Sequence, residues 1–248
     1  MASLRIALPM LGFVVLLAGA LAACGGGGGQ ESEMPSSEIT DAELTMMVLS
    51  MAELREGYAG FEGIEASSFK TNEQTAEEDS DPQDEAQDLE RFGRVKEYVR
   101  TYGSPQIEQP LGPERAILLA SRVQLFQEAE GASGYLKDHL AEMKDGAGKK
   151  SQGATVEQAK RFDVEGIGDE SAGMRARLVF PEDDGPGFEA YGMWVFLRRD
   201  RLLSSVLLVT MEDQDVGAAV EALAREVDNR IQAILLIAPQ LTPTAAEQ

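Results

Sequence analysis

Phe188-Glu-Ala-Tyr-Gly-Met-Trp-Val-Phe-Leu-Arg-Arg-Asp-Arg-Leu-Leu-Ser-Ser-Val-Leu-Leu-Val-Thr-Met211 is the stretch on which the fold turns. Two apolar runs, Phe188 to Leu197 and Leu202 to Met211, flank a short charged break. Aromatic and β-branched residues fill both runs, and such residues suit a pleated, packed surface. The spacing predicts a β-hairpin that turns at Arg199-Asp200. Alternation places Trp194 and Phe196 on one face of the first strand, and Val206 and Leu208 on one face of the second. Paired strands this apolar mark the buried centre of a sheet.

Upstream, Met174 to Phe180 reads as another strand, stopped by Pro181, with a polar loop from Glu182 to Gly187. Ala116 to Phe126 reads as a strand with Ile117, Leu119, Val123 and Leu125 inward and Arg122 and Gln124 on the other face. Glu128 to Lys144 follows as a helix, with Leu136, Leu140 and Met143 on one side, and a loop spans Gly146 to Gly153. Leu89 to Tyr102 carries both periodicities; a strand after Gly93, broken at Gly103-Ser-Pro, is the expected reading. Downstream, Val216, Val220, Leu223, Val227, Ile231 and Leu235 define a helix from Val216 to Ile237, capped by Asp213 or Asp215 and ended before Pro239. A shorter helix capped by Asp41 carries Leu44, Met47, Val48 and Met51.

Glu73 to Glu90 holds nine acids and no Lys or Arg. A calcium loop is the functional reading of Asp79, Asp81 and Asp84. Counted from Asp79, however, the sixth position is Asp84, where an EF-hand needs Gly. The stretch 71–90 is therefore expected to be a solvated, partly disordered insertion. Gly25 to Thr40 reads as a flexible linker, whose first 15 residues or so would span roughly 20 Å. Residues 240–248 read as a flexible tail.

The N-terminus sets location. Arg5 is the only charge before Cys24, and Ile6 to Leu21 is nearly all apolar. That is the layout of a secretory signal, shorter than the roughly 20 residues that span a bilayer. Leu21-Ala22-Ala23-Cys24 resembles the lipobox of bacterial lipoproteins, with all four positions matching. The resemblance implies cleavage between Ala23 and Cys24, acylation of the Cys24 sulfur by palmitate-like chains, and a partner in the membrane reached through that lipid. Cys24 is the only cysteine of the chain. A thiolate is the nucleophile such alkylation needs, and stable anchoring takes more than one chain.

Weaker resemblances concern the soluble part. Leu54, Gly57 and Tyr58 resemble a Leu-x-x-Gly-aromatic segment that opens the domain in secreted lipoproteins of Gram-positive and related bacteria. Gly166-Ile-Gly-Asp-Glu170, followed by Phe196-Leu-Arg-Arg-Asp-Arg, resembles a turn and hairpin of sensor-like and substrate-binding lipoprotein domains. The element order is also similar to the PsbP/Mog1-like arrangement. These imply a fold more than a role.

Composition bounds the chemistry. The net charge is −21, and loss of Arg5 with residues 1–23 makes it one unit more negative. Such a surface repels nucleic-acid phosphates and anionic headgroups, so no nucleic-acid partner is expected. With one cysteine, no internal disulfide forms, and 43% apolar residues must supply the core. His139 is the only histidine and is expected at a partly exposed helix surface. One histidine cannot build a His-rich zinc site, and no Gly-x-Ser-x-Gly elbow, Walker loop or dinucleotide fingerprint occurs. Asp169 and Glu170 could pair for hydrolysis, although neighbours on a turn usually point apart. Trp194 with Tyr191 could line a cleft between sheet and helix.

Together these predict an α+β fold. Residues 1–23 form a signal peptide, 24–40 a lipidated linker, and 41–239 one domain, an antiparallel sheet with helices mainly on one face. No catalytic residue, metal ligand or cofactor is assigned. A non-enzymatic domain on the extracytoplasmic face of the cell membrane, binding a small molecule or an envelope protein as sensor or accessory subunit, is the leading reading. An envelope hydrolase with an acidic site and a purely structural surface protein are the alternatives.

Overall fold

The computed structural model describes residues 39–50, 52, 54, 65–79, 81–103, 116–145, 150–151, 154–182 and 185–237. Cys24 and Ala23, the linker up to residue 38, Gly57 and Tyr58, and the tail 240–248 lie outside them.

The chain is α+β. The hairpin forms as expected, with β7 (Gly185–Arg199) and β8 (Leu202–Thr210) paired from Tyr191 opposite Thr210 to Arg199 opposite Leu202. Among the described residues six more strands join it: β1 (Glu65–Lys70), β2 (Arg94–Gly103), β3 (Ala116–Phe126), β4 (Lys150–Ser151), β5 (Ala154–Phe162) and β6 (Glu170–Glu182). All pair antiparallel in the order β1-β2-β3-β8-β7-β6-β5-β4, which puts the hairpin in the middle. β6 does not stop at Pro181. It runs on to Glu182, with an irregularity in register between Phe180 and Glu182, the kind of place where a strand tolerates a residue without an N–H.

Among the described residues five helices are complete: α1 (Asp41–Met47), α2 (Asn72–Ala76), α3 (Pro82–Arg91), α4 (Ala129–Asp145) and α5 (Gly217–Ile237). The cap of α1 is Thr40, one residue earlier than expected, in a reciprocal box with Glu43. Val48 already leaves the helix as its C-cap, and Met51 lies outside the described residues. Asp215 accepts from the Gly217 N–H at 2.9 Å and holds the start of α5. Among the described residues no helix is long and apolar enough to cross a membrane.

The acidic stretch corrects the sequence reading. It folds into α2 and α3 instead of staying disordered. Thr71 and Gln74 form a capping box on α2. Asp81 caps α3, Pro82 occupies its first turn, and Leu89 is fully buried. Acids in a helix's first turn meet the positive end of its dipole, so their density there is tolerated.

The sheet's two faces differ. On the first, α1 and α5 cover the centre: Val220, Val227 and Ile231 of α5 and Leu44 and Met47 of α1 pack on Leu119, Val195, Leu197, Val206 and Leu208. On the second, α4 and α3 cover one end, where Ala132, Tyr135, Leu136 and Leu89 meet Phe126, Met174 and Phe196. A third cluster, including Ile117, Val156, Leu178, Leu207 and Val209, occupies the rest of that second face, and no helix of the described residues contributes to it.

Candidate functional site

Beyond α4 the second face holds a recess among side chains that are mostly buried, with Val156 5%, Leu178 4% and Leu207 7% exposed. Its floor comes from alternate residues of five strands: Leu118 and Ala120 of β3, Leu207 and Val209 of β8, Trp194 of β7, Leu178 and Phe180 of β6, and Val156 of β5. His139 and Met143 of α4 close one end. The enclosed space is ≈ 130 Å³, about the size of a cavity that admits benzene. Gly192 makes room for the indole of Trp194: a Cβ there would lie 2.4 Å from its ring.

The closed end is polar underneath. Glu97 of β2 is fully buried and is shared by two guanidinium groups, Arg94 at 2.9 Å and Arg122 at 3.5 Å. Gln124 donates to the same carboxylate at 3.0 Å. Burial alone would raise the Glu97 pKa, but Arg122 and Arg94 outweigh it and hold the group below its ordinary value. Arg94 donates also to Asn72 at 2.8 Å and Thr75 at 3.0 Å, while its buried Nε has no hydrogen-bond partner. The Arg122 Nε faces Glu97, and Arg122 reaches the recess beside His139.

His139 is half-buried, its ring stacked on Tyr135 at 5.7 Å and edge-on to Phe196 at 5.5 Å. Burial, then the charge of Arg122, pushes its pKa down to about 4; Asp79 and Glu97 pull weakly the other way. It is neutral at pH 7. The unfolded chain takes up this proton near pH 6.5 and the folded chain only near 4, so the stability His139 contributes is complete above 6.5 and lost as pH falls toward 4. At pH 4.5 the loss is about 2 kcal/mol. Urea unfolding at pH 7 and 4.5 should show His139→Phe losing that much less than wild type across the interval; equal losses would contradict the assignment. Tyr135 donates to Glu85 at 3.0 Å, and burial of Glu85 raises its pKa.

Asp169 and Glu170 are brought together but not as an acid–base pair. Gly168, at φ +65°, makes the turn and donates to Asp228 of α5 at 3.1 Å; a Cβ there would meet the Arg198 carbonyl at 2.6 Å. Asp169 accepts from Arg199 at 2.9 Å, from the Asp200 N–H at 2.8 Å and from Arg198 at 3.3 Å. Glu170 accepts from Arg198 at 3.0 Å and Ser133 at 2.8 Å. Burial opposes ionisation of Glu170, but Ser133 and Arg198 prevail and hold it below the usual carboxylate range. Arg199 grips Asp228 through two nitrogens, 3.1 and 2.8 Å. The cluster ties the hairpin tip to α5, and its acids are occupied by arginines. Among the described residues no group of His, Cys, Asp and Glu is placed to hold a metal ion.

Of the aromatic pair expected at a cleft, Trp194 lines the recess; Tyr191, three positions earlier, falls on the opposite face. Arg122, Glu97 and Arg94 were missed as site residues. The alternation that set Arg122 and Gln124 apart from the apolar face was the available signal. A second, larger recess of ≈ 810 Å³ lies between α4 and β5, with Leu140 and Met174 below and Lys137, Lys144, Lys160 and Arg161 at its rim.

No protein-family model matches the chain, and no curated protein matches it. Among solved structures it is similar to the extracellular domain of PknH from Mycobacterium tuberculosis, at 12% identity, covering 77% of this chain and 97% of that chain, with a TM-score of 0.46. A likeness at that level carries neither ligand nor activity across.

Proposed function

We propose that this is a lipid-anchored extracytoplasmic protein whose domain binds a ligand without transforming it. The observation that carries the binding role is the apolar recess beside α4 on the second sheet face. Trp194, Leu207 and Leu178 line it, and the only charged group among its lining residues is Arg122. Ligand sites have this make-up, apolar walls with a few placed polar groups.

The acidic-hydrolase alternative finds less support. Asp169 and Glu170 are bound to arginines, and His139 is neutral with its ring packed between two aromatics. Among the described residues no hydroxyl nucleophile is hydrogen-bonded to it. The placement outside the cell rests on Leu21-Ala22-Ala23-Cys24 and the apolar segment before it.

Growth with a palmitate analogue tests the anchor. The wild-type protein is expected to take up label and to partition with membranes. Cys24→Ser is expected to take up none, a loss of the entire signal. Equal labelling of the variant would refute acylation at Cys24.

A further inference from the structure

We propose that the cleft between α4 and β5 is a second binding site, independent of the apolar recess, and that it takes a compact soluble ligand carrying two or more phosphate groups.

Cations are scarce in this chain, with 22 Lys and Arg against 43 Asp and Glu. Where acids are in such excess, a cation without a partner is unexpected. Among the described residues Lys144, Lys160 and Arg161 make no hydrogen bond or ion pair, while every other Lys or Arg whose side chain is described has a partner. All three line the same cleft. Lys137, the fourth cation of its lining, is loosely held: it donates to Ser133 at 2.9 Å and lies 3.9 Å from Glu170.

Two walls carry these charges. Lys137 and Lys144 stand seven residues apart on α4, two turns along one face, roughly 10 Å apart down the axis. Arg161 faces them from β5 because that strand is bulged. Glu157 pairs with Arg177 and Lys160 with Arg175, so β5 holds one extra residue in between, and Gln158 takes a φ of +50° there. Beyond the bulge Arg161 stands opposite Met174 and shares its face, toward α4, while Phe162 packs on the first face. Without the extra residue the alternation would be reversed, with Phe162 in the cleft and Arg161 away from it. Lys160 reaches the cleft at the strand's edge, which β4 pairs only at Ala154 and Thr155.

The nearby acids are engaged elsewhere. Glu170, the one carboxylate of the lining, accepts from Arg198 and Ser133, and Glu157 pairs with Arg177. Asp215 and Glu221 border the adjoining recess with Lys160 and Arg161, but Asp215 accepts from the Gly217 N–H and Glu221 lies 3.9 Å from Arg225.

The ligand class follows from charge and size. Leu136, Leu140 and Met174 beneath are 7% exposed or less, so the cleft offers charge and little apolar area. Its ≈ 810 Å³ suits a small molecule. Three of the four cations are Lys, point charges without the guanidinium fork that matches a carboxylate. A phosphate monoester carries about −1.5 to −2 at pH 7, so two of them balance four cations within a compact body, where carboxylates would have to number four. A long polyanion or an anionic bilayer would extend past the cleft over a chain of net charge −21.

Equilibrium dialysis of the full lipidated protein in phosphatidylcholine vesicles, with labelled tripolyphosphate, inorganic phosphate or citrate, tests the site. Tripolyphosphate should bind one to one and about ten-fold or more tighter than the other two. Lys144→Gln/Arg161→Gln removes one cation from each wall and should weaken it by about ten-fold or more. Lys70→Gln/Lys96→Gln changes the net charge equally, away from the cleft, and should stay within about two-fold. Ala141→Glu, at an exposed position of α4 in the cleft, leaves every cation in place and should abolish binding. Ala120→Phe, in the apolar recess, should leave tripolyphosphate unaffected, so the two sites fail separately. Equal weakening by the two double variants, or unaltered binding by Ala141→Glu, would overturn the location. Citrate binding as tightly as tripolyphosphate would overturn the phosphate assignment. Loss of tripolyphosphate binding when phosphatidylglycerol replaces part of the phosphatidylcholine would overturn the soluble source in favour of a lipid headgroup. No binding of any of the three would remove the site.

Discussion

Glu97→Leu is expected to destabilise the domain by about 3–5 kcal/mol, because removing one partner of a buried ion pair leaves the other uncompensated. The Arg94 side chain is fully buried and would keep only neutral partners, Asn72, Thr75 and the Thr71 carbonyl. The double variant Arg94→Leu/Glu97→Leu removes the enclosed pair and should recover part of that loss, with Arg122, which is partly solvated, still left without its carboxylate. Urea unfolding of the wild type, both single variants and the double gives the coupling directly. A Glu97→Leu cost below about 1 kcal/mol would mean that water reaches Arg94 and that the cluster is not the closed unit described here.

The second large effect is at Phe126. This ring is fully buried at the end of β3, 5.6 Å from the Tyr135 ring, in the cluster that seats α4 on the sheet. Its N–H donates to the Arg201 carbonyl at 3.0 Å, tying the strand end to the hairpin turn. Phe126→Ala should cost about 3–5 kcal/mol through lost burial and the cavity left behind. The urea midpoint should fall with its slope unchanged. Because α4 also carries His139 and Met143, the variant should open the closed end of the recess and shift Trp194 emission to the red. Loss of stability with an unmoved Trp194 spectrum would show that α4 holds its place by other contacts.

Much of the framework was legible because it obeys local rules. The hairpin announces itself by two apolar runs and a charged turn. β3 falls on Ala116 to Phe126 as the alternation indicates, and α4 and α5 follow the helical spacing within a residue or so. The misses have physical reasons. The acidic stretch looked unable to fold because composition was weighed above capping, although Thr71-x-x-Gln74 and Asp81-Pro82 were present as helix starts. β1 is a short, polar strand at the sheet's edge and offers little apolar pattern.

The site was harder. Alternation correctly separated Arg122 and Gln124 from Leu119 and Val123. What it could not show is that α3 and α4 return over that polar side, so that residues suited to solvent become a buried ion cluster. Glu97 pairs with Gln124 in register; Arg94 comes from its own strand, but Arg122 joins only once β2 and β3 lie side by side. His139 looked exposed among Lys137, Asp138 and Glu142; the aromatic wall that buries it comes from Tyr135, one helical turn away, and from Phe196, on a distant strand. Asp169 and Glu170 kept their turn, but the arginines that occupy them stand some thirty residues on, at the hairpin tip.

The proposed function is that of a membrane-tethered domain with a ligand in the recess on its second sheet face, and the mass of the native protein tests it most directly. Protein extracted from membranes in mild detergent would be weighed by mass spectrometry under native and then denaturing conditions. The denatured chain should begin at Cys24 and exceed its polypeptide mass by the attached lipid. The native ion should carry an additional non-covalent molecule that Ala120→Phe lacks. A chain that begins at Met1 with no added mass, and with no bound molecule in the native spectrum, would contradict both the tether and the cargo.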